Sequence, residues 1–184
     1  LAGDDKVGIT ILKIIPKADA GDIIAQKELP IGPNETYFEI ERKLDEIGPR
    51  LLTETLPLWT EGKIVPQKQD DSKVTIAKLF NTEDGKIDWG KSVEIISRKI
   101  RALNPNPGTF TFFDGKRLLI SRTSIEKKNH LLKFGEVVLD GNETKIAAAD
   151  GFVIPTSIKL EGKKETTASD FIHGHNDFVG SILN

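Results

Sequence analysis

Two apolar runs, separated by one short polar turn, open the chain. Residues 7–15, VGITILKII, are rich in β-branched residues and apolar on both faces, which predicts a buried strand. Residues 23–31, IIAQKELPI, predict a second strand. The segment between them, KADAGD, holds the acids and small residues that tight turns need. Because this connection is short, the two strands are predicted to pair antiparallel.

A helical pattern follows the second strand. Thr36 and Glu39 have the spacing of a capping box, which predicts that a helix begins here. Apolar residues then recur at i, i+4 and i+7, at Ile40, Leu44 and Ile47. Gly48 and Pro49 predict that this helix ends and a second one begins, because glycine favours a helix end and proline a first turn. Pro57 predicts a kink or a break in the second helix.

The pattern changes again at residues 63–75, KIVPQKQDDSKVT, which are polar and lack helical spacing. This stretch predicts a linker between two domains. A further helical region is predicted over residues 82–103. Its apolar face consists of Val93, Ile96, Ile100 and Leu103.

From residue 104 onward the pattern predicts strands. The two prolines of NPNPG exclude helix over residues 104–108. Asp114–Gly115, between two apolar runs, predicts a hairpin. Further Asp-Gly and Gly-Asn pairs recur roughly every ten residues, which is typical of a small barrel or a meander. TTASDFIHGH, residues 166–175, predicts a short capped helix.

Composition limits the possible functions. The chain has 184 residues, a length sufficient for one domain or two small ones. Of these residues 38% are apolar and 29% charged, as in an ordinary globular protein. It has no cysteine, so disulfides and thiolate chemistry are excluded. No apolar run approaches the length of about 18 residues that a membrane span needs. The sequence begins at Leu1 and contains no methionine, and we therefore expect its amino terminus not to be the start of the gene product.

The net charge of −2 hides an asymmetry along the chain. Residues 1–70 hold nine basic and thirteen acidic side chains, whereas residues 91–133 hold ten basic and three acidic ones. A block of this kind is typical either of a solvated lysine-rich face or of a surface that contacts a polyanion.

Short motifs occur through both halves of the chain in an order found in one enzyme family. LAGDDKVGITILKI, DAGDIIAQKELPI and KLDEIGPRLLTETL lie in the first half. GKIDWGKSVEIISRKIRALNPNPG, GKRLLI, AADG and EGKKETTASDFIHGH lie in the second. In this order they resemble the methionyl-tRNA formyltransferase family over nearly the whole chain. Two positions depart from the family pattern: Asn106 and Ile76 stand where an aromatic residue is often found.

The resemblance implies a fold of class α/β plus β. Residues 1–62 would be the carboxyl-terminal part of a Rossmann-like formyltransferase domain, residues 63–80 a linker, and residues 81–184 an OB-like β-barrel domain that binds tRNA. The implied reaction transfers a formyl group from 10-formyltetrahydrofolate to the amino group of methionyl initiator tRNA, without a metal. A monomer is expected, located in the cytoplasm or, in a eukaryote, in the mitochondrial matrix.

The resemblance also implies one catalytic residue. The family's LDTGD loop reads ADAGD here, so its acid is Asp19. In the same substrate loop, Gly21 is expected to supply backbone freedom. Asp22 is expected to turn its side chain back onto the N–H groups of the loop. The family's catalytic Asn and His come earlier, beside a stretch that this chain lacks, so the chain is expected to be inactive alone.

The same resemblance implies that tRNA is the polyanion bound by basic residues of the second half of the chain. The candidates for contact with the tRNA backbone are Arg98, Lys99, Arg101, Lys116, Arg117, Arg122, Lys163 and Lys164. Phe110, Phe112 and Phe113 alternate in a strand, and at least one of its faces is expected in the core rather than under a base. His173 and His175 have a spacing that could mimic a metal site, but no full ligand set is evident.

Two other functions remain open at this level. The first is a related folate-dependent formyltransferase that acts on an amino-sugar nucleotide. The second is a non-catalytic RNA-binding module that has the barrel and lacks the reaction centre. Formylation assays on the two substrates distinguish the enzymes from each other, and the presence of a catalytic Asn and His distinguishes both from the module.

Overall fold

The structure, a computed structural model, describes residues 1–184 and divides into two compact units. Residues 2–79 form the amino-terminal unit and residues 80–184 the carboxyl-terminal unit.

The amino-terminal unit begins with the predicted antiparallel pair. Strand β1 (Lys6–Leu12) pairs with strand β2 (Ile23–Pro30), with Val7 opposite Leu29 and Ile11 opposite Ala25. The prediction that β1 is buried is wrong, because none of its residues is buried and most are half-exposed. Helix α1 (Tyr37–Thr60) packs on both strands and covers one face of the two-stranded sheet. The other face of the sheet has no helix against it within this unit, so β1 is not buried on both faces.

Helix α1 is continuous over 24 residues, which corrects the prediction of two helices. Thr36 and Glu39 form the predicted capping box. Gly48 lies inside the helix and does not end it. A Cβ at this position would lie 2.6 Å from Cδ1 of Ile9. Glycine therefore lets the helix approach β1 closely. Pro49 and Pro57 each lack an N–H, yet the remaining bonds of the long helix continue through both positions.

The segment after α1 is anchored at one point. Gln67 exchanges two backbone hydrogen bonds with Ile23, of 2.7 and 2.9 Å, and so extends the edge of β2. A 3₁₀ turn follows over Asp71–Lys73. The polar stretch 63–75 therefore contains a sheet contact that its composition did not indicate. Ile76, one of the two positions that depart from the family pattern, is 93% exposed.

The carboxyl-terminal unit has two helices and six strands. The helical region predicted over residues 82–103 is in two parts, a 3₁₀ turn at Thr82–Gly85 and helix α2 at Val93–Leu103. The strands are β3 (Phe110–Phe113), β4 (Lys116–Lys127), β5 (Val137–Asp140), β6 (Glu143–Ala148), β7 (Gly151–Leu160) and β8 (Thr166–Thr167). Helix α3 follows at Ala168–Gly174, capped by Thr167 as predicted for a short terminal helix. No helix in the protein combines the length and the apolar character needed to cross a membrane.

All strand pairs of this unit are antiparallel. Their order is β3-β4-β7-β6-β5, and β8 pairs with β7. The β3–β4 turn is the predicted hairpin, and its central residues Asp114 and Gly115 have φ of +47° and +70°. Asp-Gly is common in such turns because both central positions need positive φ. The regular strand pairs do not close into a barrel.

Residues 180–184, which we call the closing segment, contact both edges of this sheet. On one side the segment exchanges backbone bonds with Val137, and the N–H of Leu183 donates to O of Gly135 at 2.9 Å. On the other side Phe112 and Asn184 exchange two backbone bonds, of 2.9 and 3.3 Å. The segment thus supplies hydrogen-bond partners to Phe112 in β3, to Val137 at the start of β5 and to Gly135 just before it.

The core of this unit lies between α2, α3 and the sheet. The predicted apolar face of α2 is confirmed, because Val93, Ile96, Ile100 and Leu103 are all at most 2% exposed. Trp89 is also buried, and its indole N–H donates to Oγ1 of Thr111. Three phenylalanines, Phe113, Phe171 and Phe178, meet edge to face.

Two of the short motifs that carry the family resemblance form hydrogen bonds beside this core. In NPNPG, the side-chain amide of Asn104 lies 2.7 Å from O of Ile100 and 2.9 Å from Oγ1 of Thr109. In AADG, Oδ1 of Asp150 accepts from the N–H of Val93 at 2.8 Å. Asp150 therefore satisfies a donor in the first turn of α2, a group that the helix itself leaves unpaired.

Candidate active-site loop and nucleic-acid interface

The last part of the connection between β1 and β2, residues 16–22, is called the Asp19 loop. Asp19 lies exposed in it, with a φ of +54°. Its carboxylate makes no hydrogen bond or ion pair, so the charge is not tied to the main chain of the loop. Left-handed backbone is uncommon outside glycine, although aspartate adopts it more readily than most residues. The structure thus presents this acid to solvent at the tip of a strand pair.

The base of the loop is closed by a tight backbone contact. A Cβ on Gly21 would lie 1.7 Å from O of Lys13, and the N–H of Lys13 donates to O of Asp22 at 2.9 Å. Gly21 is therefore needed for close approach, not for the backbone freedom that the sequence predicted. The expected bonds from the Asp22 side chain to loop N–H groups are not formed. The backbone carbonyl of Asp22 makes the structural contact instead.

A third contact to the loop comes from outside it. The side-chain Nε2 of Gln69 donates to O of Asp19 and to O of Gly21, each at 2.7 Å. Sequence reasoning missed Gln69, because it lies about 50 residues away in a stretch predicted as a linker. None of the motifs quoted for the family resemblance includes Gln69, so no local signal pointed to it.

The basic candidates on α2 are partly engaged within the protein. Arg98 pairs with Glu94 at 3.6 Å, and Nζ of Lys99 donates to O of Lys86 at 2.5 Å. Burial, together with the neighbouring Arg98, lowers the pKa of the Arg101 guanidinium. These three side chains are half-buried, so their charges are less available to a partner than the sequence indicated.

A second basic group lies where two turns meet. The backbone of Arg117 exchanges bonds with Glu161, through its N–H to the carboxylate at 3.1 Å and its O to the Glu161 N–H at 2.8 Å. This brings the β3–β4 turn beside the loop after β7, so that Lys116 lies on the same edge as Lys163 and Lys164. These three lysines are exposed and make no ion pair within the protein.

Arg117 itself differs from its neighbours. Its guanidinium pairs with Glu83 at 3.2 Å and lies 4.6 Å from the ring centre of Phe110. An arginine held by both a carboxylate and an aromatic face has much of its binding capacity satisfied internally.

Arg122 is exposed on β4, next to a fixed carboxylate. Oε1 of Glu165 accepts from Oγ of Ser121 and Oγ of Ser157, each at 2.5 Å, and these two bonds lower the pKa of Glu165. Glu161 and Glu165 thus fix both ends of the loop that carries Lys163 and Lys164.

The aromatic residues of β3 are mostly part of the core. Phe110 and Phe113 are 3% and 6% exposed, which confirms the expectation of a core face. Phe112 is half-buried, and Nζ of Lys86 lies 5.5 Å from its ring centre.

The histidines are engaged in packing. The His175 ring stacks on Phe171 with centroids 4.0 Å apart, and its Nδ1 lies 3.0 Å from O of the same residue. His130 places Nε2 within 3.1 Å of the carbonyls of Ala148 and Gly151, so this nitrogen is the donor. The structure brings together no three histidine, aspartate or glutamate side chains that could hold a metal ion.

Lys145 is a cation that the sequence did not distinguish from the surface lysines. Its side chain is 8% exposed, and Nζ lies 2.7 Å from Asp140 and 2.5 Å from Glu126. The bond from Lys145 lowers the pKa of Asp140 and, reciprocally, Asp140 and Glu126 raise the pKa of Lys145. This cluster links β4, β5 and β6 and leaves Lys145 unavailable to a polyanion.

Comparison with known proteins identifies the family to which both parts of the chain belong. Residues 80–176 match the family described as "Formyl transferase, C-terminal domain", and residues 1–56 match "Formyl transferase". The chain belongs to the formyltransferase family. The resemblance seen in the motifs is thereby confirmed.

Its curated relatives carry one name. Methionyl-tRNA formyltransferases from Geotalea uraniireducens and Fusobacterium nucleatum are 36% and 37% identical to it, each over 98% of this chain. The chain spans 58% and 59% of the length of these relatives.

Solved structures show the same fold. HypX from Aquifex aeolicus matches 96% of this chain and 33% of its own, with a TM-score of 0.69 at 21% identity. A methionyl-tRNA formyltransferase from Clostridium thermocellum matches 79% of this chain and 58% of its own, with a TM-score of 0.50 at 25% identity. The first match concerns the fold alone, since the identity is low.

Proposed function

We propose that this chain takes part in the transfer of a formyl group from 10-formyltetrahydrofolate to the amino group of methionyl initiator tRNA. One observation carries the proposal: the exposed, unpaired carboxylate of Asp19 occupies the family's acid loop. The chain's relatives of 31–37% identity are named for this reaction. The reaction belongs to translation initiation, in the cytoplasm or, in a eukaryote, in the mitochondrial matrix.

Asp19 has a definite role in this chemistry. The amine of the methionyl group attacks the formyl carbon, a tetrahedral oxyanion forms, and the attacking nitrogen becomes positively charged before it loses a proton. Collapse of the oxyanion then breaks the bond from the formyl carbon to N10 of the folate, and N10 leaves as the protonated amine of tetrahydrofolate. A carboxylate beside the nitrogen stabilises that charge, and it can also orient a water or a protonated histidine. An acid with no partner in the free protein keeps its full capacity for these tasks. The oxyanion needs donors that Asp19 cannot supply, so the chain is expected to be inactive alone.

The carboxyl-terminal unit would be the RNA-binding part, with an OB-like fold. The support for this shape is the closing segment, whose bonds to β3 and to the residues beside β5 connect the two edges of the sheet. OB folds bind nucleic acids on one face and its flanking loops. In this proposal the turn group of Lys116, Lys163 and Lys164, with Arg122 nearby, makes the main phosphate contacts, and Arg98, Lys99, Arg101 and Arg117 make smaller ones.

A chimera tests the proposed reaction. The segment of the Fusobacterium nucleatum relative that precedes its match would be joined to residues 1–184. We expect this chimera to formylate methionyl initiator tRNA with 10-formyltetrahydrofolate as the donor, while residues 1–184 alone do not.

The same assay evaluates the two rival functions. Formylation of an amino-sugar nucleotide in preference to methionyl-tRNA would replace the proposed substrate. A folded chimera that binds RNA and formylates neither substrate would contradict an enzymatic role for this chain.

Charge reversal tests the RNA surface on the chain as it stands. Lys163→Glu with Lys164→Glu is expected to weaken initiator tRNA binding by about tenfold and to lower the salt slope by about 1 to 2, because two phosphate contacts are lost. Filter binding at several salt concentrations measures both quantities.

The matched control makes the same change of charge elsewhere. Lys27→Glu with Lys68→Glu alters exposed lysines of the amino-terminal unit that make no ion pair. If both double variants lose affinity equally, the effect is one of net charge, and the turn group is not the binding surface.

A further inference from the structure

We infer that Gln69 is a positioning residue whose side-chain amide holds Asp19 in its catalytic orientation. The inference rests on the proposed function for the role of Asp19, but the clamp itself is a property of this chain. It assigns a task to a segment whose sequence predicted only a linker.

The geometry uses the whole donor capacity of the amide. An NH₂ group has two hydrogens, and Nε2 of Gln69 meets two backbone carbonyls, those of Asp19 and Gly21, each at 2.7 Å. Carbonyl oxygens only accept, so the nitrogen end of the amide must face them. No other side chain of the protein bonds to the backbone of these two residues.

The position of the amide is itself fixed. Two residues earlier, Gln67 exchanges two backbone bonds with Ile23, the first residue of β2. Because β2 begins directly after the Asp19 loop, this pairing carries Gln69 to the loop. The clamp is therefore attached to a rigid sheet edge and not to a free chain.

The Asp19 backbone needs such support. Its φ of +54° is sparsely populated for a residue with a Cβ, and a loop in solution leaves this region unless its surroundings hold it there. The Gly21–Lys13 contact fixes the base of the loop, whereas the Gln69 amide bonds to the carbonyl of Asp19 itself. Losing the clamp would free the backbone that aims the carboxylate while leaving the strand pair intact.

The test replaces the donor and keeps the shape. Gln69→Glu is isosteric, and at pH 7 it places carboxylate oxygens against two carbonyl oxygens, which repel them. The readouts are the backbone ¹³Cα and ¹³Cβ shifts of Asp19, which report the left-handed φ, and ¹⁵N order parameters of residues 17–22. In the variant we expect the left-handed shifts to vanish and the order parameters to fall below about 0.6, the range of flexible backbone.

Two controls accompany this variant. Gln67→Glu makes the same substitution two residues away, where only the backbone bonds to the sheet, and should leave both readouts unchanged. In Gln69→Glu itself, acidification below about pH 4 protonates the new side chain, which then has one O–H donor. Partial return of the left-handed shifts at low pH is a signature that a general loss of stability would not give.

The outcomes that overturn the inference are specific. Persistence of the left-handed shifts and of loop order in Gln69→Glu at pH 7 would show that the amide does not hold the loop. Simultaneous loss of the β1–β2 cross-strand amide signals would also overturn it, because Gln69 would then support the whole unit.

The chimera described above separates this inference from the proposed function. There, Gln69→Glu should lower kcat by about tenfold or more with little change in KM for tRNA, since a displaced acid impairs chemistry rather than binding. If the clamp is seen by NMR but the unaltered chimera has no formyltransferase activity, the proposed function fails and the clamp stands. If the chimera is active and Gln69→Glu leaves kcat unchanged, the positioning role fails.

Discussion

We expect Asp19→Asn in the chimeric formyltransferase to lower kcat by about 10²- to 10⁴-fold, the range that a positioned acid or base contributes. The substitution keeps the shape of the side chain and its tolerance of positive φ, and it removes only the charge. Because the carboxylate has no partner in the free protein, its loss leaves no orphaned group and no cost in folding. The KM for tRNA is expected to change little, since the proposed phosphate contacts lie on the other unit. Steady-state kinetics measure both parameters.

The matched control for this prediction is Asp45→Asn. It removes one exposed carboxylate from helix α1, in the same unit and outside the Asp19 loop. A general effect of net charge would impair both variants alike. Full turnover by the Asp19→Asn enzyme would remove this residue from the mechanism.

Deletion of residues 181–184 is expected to lower the Tm of the carboxyl-terminal unit by at least about 10 °C. The deletion removes Leu183, which is 2% exposed, and burial of a leucine side chain is worth about 2–5 kcal/mol beyond alanine. It also removes Asn184, the backbone partner of Phe112, and Ser181, whose carbonyl accepts the N–H of Val137. Differential scanning calorimetry of the deleted and the complete chain gives the shift.

Two point variants separate the causes. Leu183→Ala keeps the backbone bonds and removes the buried side chain, whereas Ile182→Ala truncates a neighbour that is 43% exposed. We expect a large loss of stability for the first and a small one for the second. Equal and small effects for the deletion and both point variants would show that the closing segment does not stabilise the unit.

The elements that the sequence predicted well are those with a local physical signal. The capping box at Thr36, the apolar face of α2 and the Asp114–Gly115 turn each depend on residues that are close in the chain. Local propensity and periodicity are sufficient for such features. The family motifs added what periodicity could not, namely which acid to consider.

The wrong predictions concern residues whose role is set by a contact with a residue far away in the chain. Gly48 was interpreted as a helix end, but its absent Cβ makes room for Ile9 of another element. The same kind of error affected Gly21, whose neighbour across the loop is Lys13. A sequence pattern shows that glycine is present and does not show what approaches it.

For the candidate site residues too, local features were predictable from the sequence and contacts between distant residues were not. The turn that holds Asp19 was predicted from its local sequence, while the Gln69 contact spans 50 residues and has no local pattern. Among the basic residues, Lys99 and Arg117 look like surface cations in sequence, yet each is bonded inside the protein. Internal partners of a charged side chain are a tertiary property, which no count of charges along the chain reveals.

The contact between Asp150 and the first turn of α2 has a consequence for how this unit folds. The two bonded residues, Val93 and Asp150, are 57 positions apart, and the turn that holds Asp150 exists only once β6 and β7 have paired. The bond therefore couples the helix and that hairpin into one block, since the acceptor for the Val93 N–H is in place only when the hairpin has formed. A circular permutation that opened the chain at this hairpin would break the block, whereas new termini at the exposed Asp114–Gly115 turn would preserve it.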